Sequence, residues 1–166
     1  AFLEDVLERQ SGRPVPHLPQ GPFLKPRQAV LCRRMAEAVG FDFSTGRLDA
    51  TLHPFSGGIP EDSRITTRYD EANFTSAMMG VLHETGHAMY ERGRPLKWRY
   101  QPIGETAGLG MHESQSLIVE MQASRSRSFF SWAAPVIRDS FAVSGKGWDA
   151  DNLYRLATRV ERSFIR

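Results

Sequence analysis

The stretch VLHETGHAMYERG, Val81 to Gly93, constrains what this chain can fold into more than any other. Inside it lies His83-Glu84-Thr85-Gly86-His87, an H-E-x-x-H pattern whose chemistry depends on a helix. At about 100° per residue, the two histidines fall about 40° apart around the axis and about 6 Å apart along it, so both imidazoles can converge on one ion. Glu84 projects beside that ion rather than onto it, where a carboxylate can take a proton from an activated water. With Asn73 as N-cap and Gly93 just past the end, Phe74, Met78, Val81, Leu82, Thr85 and Met89 gather on one face and should pack inward. Ser76, Gly80, His83, His87 and Glu91 fall on the other face. Histidines placed there, beside a glycine without a side chain, are expected to line a cleft.

The rest of the chain sets the surroundings for that helix. At 166 residues it is one domain's worth of material, and 40% hydrophobic with 24% charged residues is the make-up of an ordinary globular protein. A net charge of +2, with arginines dispersed rather than gathered in a stripe with aromatics, argues against nucleic acid as a partner. No apolar run approaches the length of a membrane span, so no membrane is expected either. The start, AFLEDVLERQ, lacks the basic and apolar blocks of a signal peptide, and the single cysteine, Cys32, has no partner for a disulfide. A reducing, cytoplasmic setting is therefore the expectation.

In chain order, Phe2, Leu3, Val6 and Leu7 predict a short helix that Ser11-Gly12 stops. A proline-rich loop follows, with His17 as a solvated loop residue. Pro26 opens a second helix, from about Arg27 to Val39, and Gly40 closes it. Arg47 to Leu52 and Arg64 to Tyr69 read as two strands of a small antiparallel sheet, joined by a loop holding Gly57 and Gly58. From about Thr106 to Ser128 a long helix is expected, apolar around most of its circumference and so buried on several sides. That places Glu113 in an apolar neighbourhood where metal ligation would satisfy it. Phe129 to Val143 gives another helix, with Pro135 at a break or a first turn, and a last helix begins near Asp149 or Asp151. The fold class expected is mainly α: a helical zincin-like core with a small antiparallel β-sheet before the H-E-x-x-H helix.

Two histidines do not complete a metal site; a third protein ligand is needed, with the fourth position left for water. Glu105, His112, Glu113 and Glu120 are all candidates, and spacing alone does not choose among them. No histidine follows between Tyr90 and Leu96, so a glutamate-ligated site is favoured over a histidine-rich one.

Several motifs together resemble one family. His53-Pro54-Phe55 is similar to the H-P-F motif of the carboxypeptidase Taq metallocarboxypeptidases, peptidase family M32. Asp62-Ser63-Arg64-Ile65-Thr66 resembles its D-x-R-x-T, His83 to His87 its H-E-x-x-H, and His112-Glu113-Ser114-Gln115 its H-E-S-Q. The resemblance implies His83, His87 and Glu113 as metal ligands, Glu84 as general base, and Arg166 as the residue that binds the substrate's carboxylate. Arg64 and His53 are further substrate-binding candidates, each weighed against a structural role: Arg64 anchoring the sheet by an ion pair with Asp62, and His53 bracing the loop before the strands. It implies a mostly helical protein, dimeric and considerably longer than this chain, with residues 1–166 forming a single domain from its central part. The cofactor implied is one divalent metal, zinc foremost and cobalt next. The expected activity is release of C-terminal residues from peptides with a free C-terminus. His112 is expected to act from behind the ligands, and Glu120 to orient a ligand histidine. Two alternatives remain: a glutamate-ligated endopeptidase or aminopeptidase, and a non-catalytic helical fragment or pseudoenzyme serving as a packing or dimerisation module.

Overall fold

Helix ends sit where the chain's capping chemistry puts them. A computed structural model describes residues 2–162. Its elements run α1 (Phe2–Ser11), α2 (Lys25–Val39), β1 (Gly46–Ala50), β2 (Ser56–Ile59), β3 (Asp62–Thr67), α3 (Phe74–Arg92), α4 (Leu109–Leu117), α5 (Arg127–Phe141) and α6 (Ala150–Ala157). Pro26 lies in the first turn of α2, and Gly40 ends that helix at φ 106°. The Asn73 side chain accepts from the Thr75 N–H at 3.1 Å and starts α3. The architecture is mainly α with one small sheet, as expected. No helix among the described residues is long and apolar enough to cross a membrane.

The chain divides into two compact units, one made of Ala1–Gln20 with Arg125–Arg166 and the other of Gly21–Ser124. In the first, α5 buries Phe130, Ala133, Ala134 and Ile137, and α6 buries Leu153. The Asn152 amide holds the loop at His17, accepting from its N–H at 2.8 Å and donating to its carbonyl at 2.8 Å. The His17 residue itself is exposed, as expected. Pro135 corrects the expectation of a break: it lies inside α5. Pro135 cannot donate to the Ser131 carbonyl, and Ser131 is an exposed residue, where water can reach that oxygen.

The second unit carries the sheet. Its order is β1-β3-β2, with β2 antiparallel to β3 (Ile59 opposite Asp62) and β1 parallel to β3 (Gly46 opposite Ser63). The antiparallel arrangement expected of residues 47–52 and 64–69 thus gives way to a mixed sheet. The reason lies in the glycine stretch read as a loop, which is β2: the chain reverses into it, then turns at Pro60-Glu61 so that β3 inserts between its two predecessors. Cys32 and Ala36 of α2, Ile65 of β3, and Ala77, Val81 and Ala88 of α3 form one buried cluster with Phe41. Burying each large apolar side chain there contributes about 1.5–3 kcal/mol. That cluster fixes the apolar face of α3 against the sheet and turns its other face outward.

The long helix expected over residues 106–128 is also corrected. It begins at Leu109, passes into a π-helical segment at Ile118–Ala123, and stops before α5. The Ser124 N–H bonds back to the Val119 carbonyl, five residues away, at 2.9 Å. Nor is it buried on several sides. Ser116 is its one buried residue in α4, Leu109, Met111, Ile118 and Met121 are exposed, and α3 is the helix against which it packs.

Candidate metal centre

Gly86 sets the closeness of α3 and α4. A Cβ built on it would lie 2.7 Å from Ser116 Cα and 2.8 Å from the Gln115 carbonyl oxygen, both backbone atoms. Only a residue without a side chain permits that crossing. A glycine inside a helix costs about 1 kcal/mol relative to alanine, so its place between the two histidines calls for a packing reason. Ser116, the buried residue at the crossing, lies one helical turn beyond Glu113, and its hydroxyl is 3.2 Å from Glu113 Oε2.

The crossing brings three donors together. His83 Nε2 and His87 Nε2 are 3.2 Å apart, Glu113 Oε2 is 3.3 Å from the His87 nitrogen, and it is 3.6 Å from the His83 nitrogen. Among the described residues these form the group of histidine and acidic side chains that could hold a metal. Glu113 is half-exposed rather than set in the apolar neighbourhood expected of it. Of the other third-ligand candidates, Glu105 lines a separate cleft of about 470 Å³ with Gly86, Tyr90, Arg94 and Gln115. Glu120 and His112 stand behind the histidines.

Each imidazole is held from its far side. Glu120 Oε2 is 3.0 Å from His83 Nδ1, and the His112 carbonyl oxygen is 3.1 Å from His87 Nδ1. A carbonyl can only accept, so the His87 proton is on Nδ1; the Glu120 carboxylate places the His83 proton in the same way. Both neutral rings then present bare Nε2 lone pairs to each other at 3.2 Å. Two acceptors at that distance repel unless a proton or a cation comes between them. Ligands about 2.1 Å from a tetrahedral ion stand about 3.4 Å from one another, which the three donor separations bracket. The residues present fit a small divalent cation.

The local field treats the two histidines differently. The hydrogen bond to Glu120 raises the pKa of His83, against the effect of burial. Burial, with the charges of His112 and His83, lowers that of His87. Glu84, buried on α3, has its pKa raised mainly by loss of solvent, with Glu113 and Glu120 adding to the shift and His83 opposing it.

The remaining sequence candidates lie elsewhere or beyond view. Arg64 forms a two-pronged ion pair with Asp62, at 2.7 Å between Nη2 and Oδ2 and 3.0 Å from Nε, on the exposed side of β3. His53 is exposed in the segment before β2. Arg166 lies outside the described residues. Sequence reasoning passed over Gly86 and Arg94, and it used Glu91 only as a member of the polar face. A glycine between two candidate ligands was the available signal for the first. Nothing in the spacing pointed to Arg94.

A sequence model of the family described as Carboxypeptidase Taq (M32) metallopeptidase matches residues 1–166. Thermostable carboxypeptidase 1 of Thermus thermophilus is 38% identical over 168 residues, taking in 99% of this chain and 33% of the relative. Carboxypeptidase 1 of Bacillus subtilis is 37% identical over 145 residues, taking in 87% of this chain and 29% of the relative. Among solved structures, metallocarboxypeptidase 1 of Trypanosoma cruzi matches with a TM-score of 0.93 and 41% identity, over 98% of this chain and 34% of that one. The M32 carboxypeptidase of Deinococcus radiodurans matches with a TM-score of 0.87 and 34% identity, over 97% of this chain and 33% of that one. The chain spans about a third of the length of these curated relatives.

Proposed function

The chain belongs to the carboxypeptidase Taq (M32) metallopeptidase family, and from that premise we propose that the protein removes C-terminal residues from peptides, using one divalent metal held by His83, His87 and Glu113. The observation that carries this reading is the donor triangle, with edges of 3.2, 3.3 and 3.6 Å and both imidazole protons directed away from it. Zinc suits a set of two nitrogens and one carboxylate oxygen, and cobalt is the alternative. When bound, the ion supplies Lewis acidity, polarising the scissile carbonyl and acidifying water.

The chain's own residues do the rest. Glu84 accepts a proton from the attacking water and later hands it to the departing amine. Its desolvated carboxyl, with a raised pKa, is a stronger base than a solvated one and can hold the proton between the two halves of that transfer. Glu120 and the His112 carbonyl keep the two ligand rings in the tautomer that leaves Nε2 free. Recognition of the substrate's free carboxylate calls for a cation, for which Arg166 is the proposed residue, with a two-pronged guanidinium contact. Arg64, already committed to Asp62, is better placed to brace the sheet. The lone, buried Cys32 supports a reducing, cytoplasmic setting.

The zinc-loaded protein should hydrolyse a peptide with a free C-terminus and leave its amidated counterpart intact. Equal cleavage of both would point to an endopeptidase or aminopeptidase instead. Glu84→Gln should lower kcat by at least about 100-fold with metal content unchanged. A variant that turned over at close to the parent rate would remove Glu84 from the mechanism.

A further inference from the structure

His83 and His87 are not supported alike. A carboxylate holds His83, whereas the partner of the His87 Nδ1 proton is a neutral peptide carbonyl, that of His112. A single hydrogen bond fixes the direction of one N–H but leaves the ring free to tilt about it. The His112 side chain removes that freedom. Its ring stacks on the His87 ring with centroids 4.4 Å apart and planes 16° from parallel. On its far edge, His112 Nε2 lies 3.1 Å from Glu91 Oε1. Glu91 Oε2 is in turn 2.8 Å from Arg94 Nη2, and Arg94 Nη1 donates to the Gly104 carbonyl at 3.0 Å. The Tyr90 ring closes edge-on against His112 at 5.6 Å.

The geometry points to His112 as a positioning residue for the metal centre, tethered by Glu91 and Arg94, which sets the plane of His87 through its ring and the tautomer of His87 through its carbonyl. His112 also precedes Glu113 in the chain, so the same tether fixes where the carboxylate ligand starts. One residue of α4 thereby couples a ligand on α3 to a ligand on its own helix. Glu91 in the last turn of α3 and Arg94 just past its end anchor that coupling to the segment around Gly104. The inference rests on the reading of His83, His87 and Glu113 as metal ligands.

The test is the zinc dissociation constant, measured by competition with a chromophoric chelator, together with thermal unfolding of the metal-free protein. His112→Ala should raise Kd about 10–100-fold, the usual effect of losing a group that orients a ligand, while metal-free unfolding stays close to that of the parent. His112→Phe, which keeps the stack and loses the tether, should fall between the two. Glu91→Ala should weaken zinc binding in the parent and add nothing in the His112→Ala background, because both changes cut the same link. The visible spectrum of the cobalt-substituted protein should shift in His112→Ala. Unchanged Kd in all three single variants, with the parent binding zinc, would overturn the role of His112 and leave the metal site standing. A rise in Kd matched by an equal loss of metal-free stability would make His112 a packing residue and overturn the inference too. A parent protein that bound no divalent metal would sink the ligand assignment, and the inference with it.

Discussion

At Gly86 the space of one methyl group separates a working convergence from a displaced one. A Cβ there meets the backbone of Ser116 and Gln115 below 3 Å, and backbone cannot rotate aside. Gly86→Ala should therefore push α4 away, weaken zinc binding at least about tenfold, and destabilise the protein by about 1–3 kcal/mol. Chelator competition and thermal unfolding read both effects, and unchanged zinc affinity would show that the close crossing does not place Glu113. Cys32 tests the core in the same way. Burial pushes its thiol up to about 12, against 9.0 for a free one. The folded chain keeps the proton through the alkaline range in which the unfolded chain releases it. The thiol's contribution to stability is thus fully present below pH 9 and is lost progressively as pH rises toward 12. Native protein at pH 8 should react with a thiol-specific disulfide reagent far more slowly than denatured protein, and rapid native reaction would place Cys32 outside the core.

At the scale of elements, the parts of the fold that obey a local period were legible in the sequence. The start of α3 at Asn73, its end at Gly93, and the buried set of Phe74, Met78, Val81, Leu82 and Thr85 follow from capping residues and the helical repeat. So does the spacing of His83 and His87. What was not legible depends on contacts distant in sequence. Family resemblance alone distinguished Glu113 from Glu105 and Glu120, because the helix crossing that brings its carboxylate to the two imidazoles is tertiary. β2 hid in a glycine pair that propensity assigns to a loop. Gly58 adopts φ 105°, and an added Cβ would lie 2.1 Å from the Asp62 carbonyl oxygen. Gly58→Ala should accordingly break the β2–β3 hairpin at a cost of about 2–4 kcal/mol, read by chemical unfolding. Loss of less than about 0.5 kcal/mol would mean that β2 contributes little to the sheet. Leu117 to Met121 looked like a buried helix because their apolar residues surround the axis. That surface packs on α3 and stays exposed at Leu117, Ile118 and Met121, and the π turn after Leu117 carries Glu120 to His83.

At the scale of the whole molecule, the sheet and α2 hold one side of α3 while the other side meets α4, so the core and the metal centre are two faces of one helix. Relatives that share this stretch at 34–41% identity keep its fold, with TM-scores of 0.87 and 0.93. The proposed activity requires His83, His87 and Glu113 to converge on one ion, and anomalous diffraction at the zinc edge from crystals of the zinc-loaded protein reads that convergence. One strong peak is predicted, about 2.0–2.2 Å from His83 Nε2, His87 Nε2 and Glu113 Oε2. A peak held by other side chains, or none within reach of those three atoms, would contradict it.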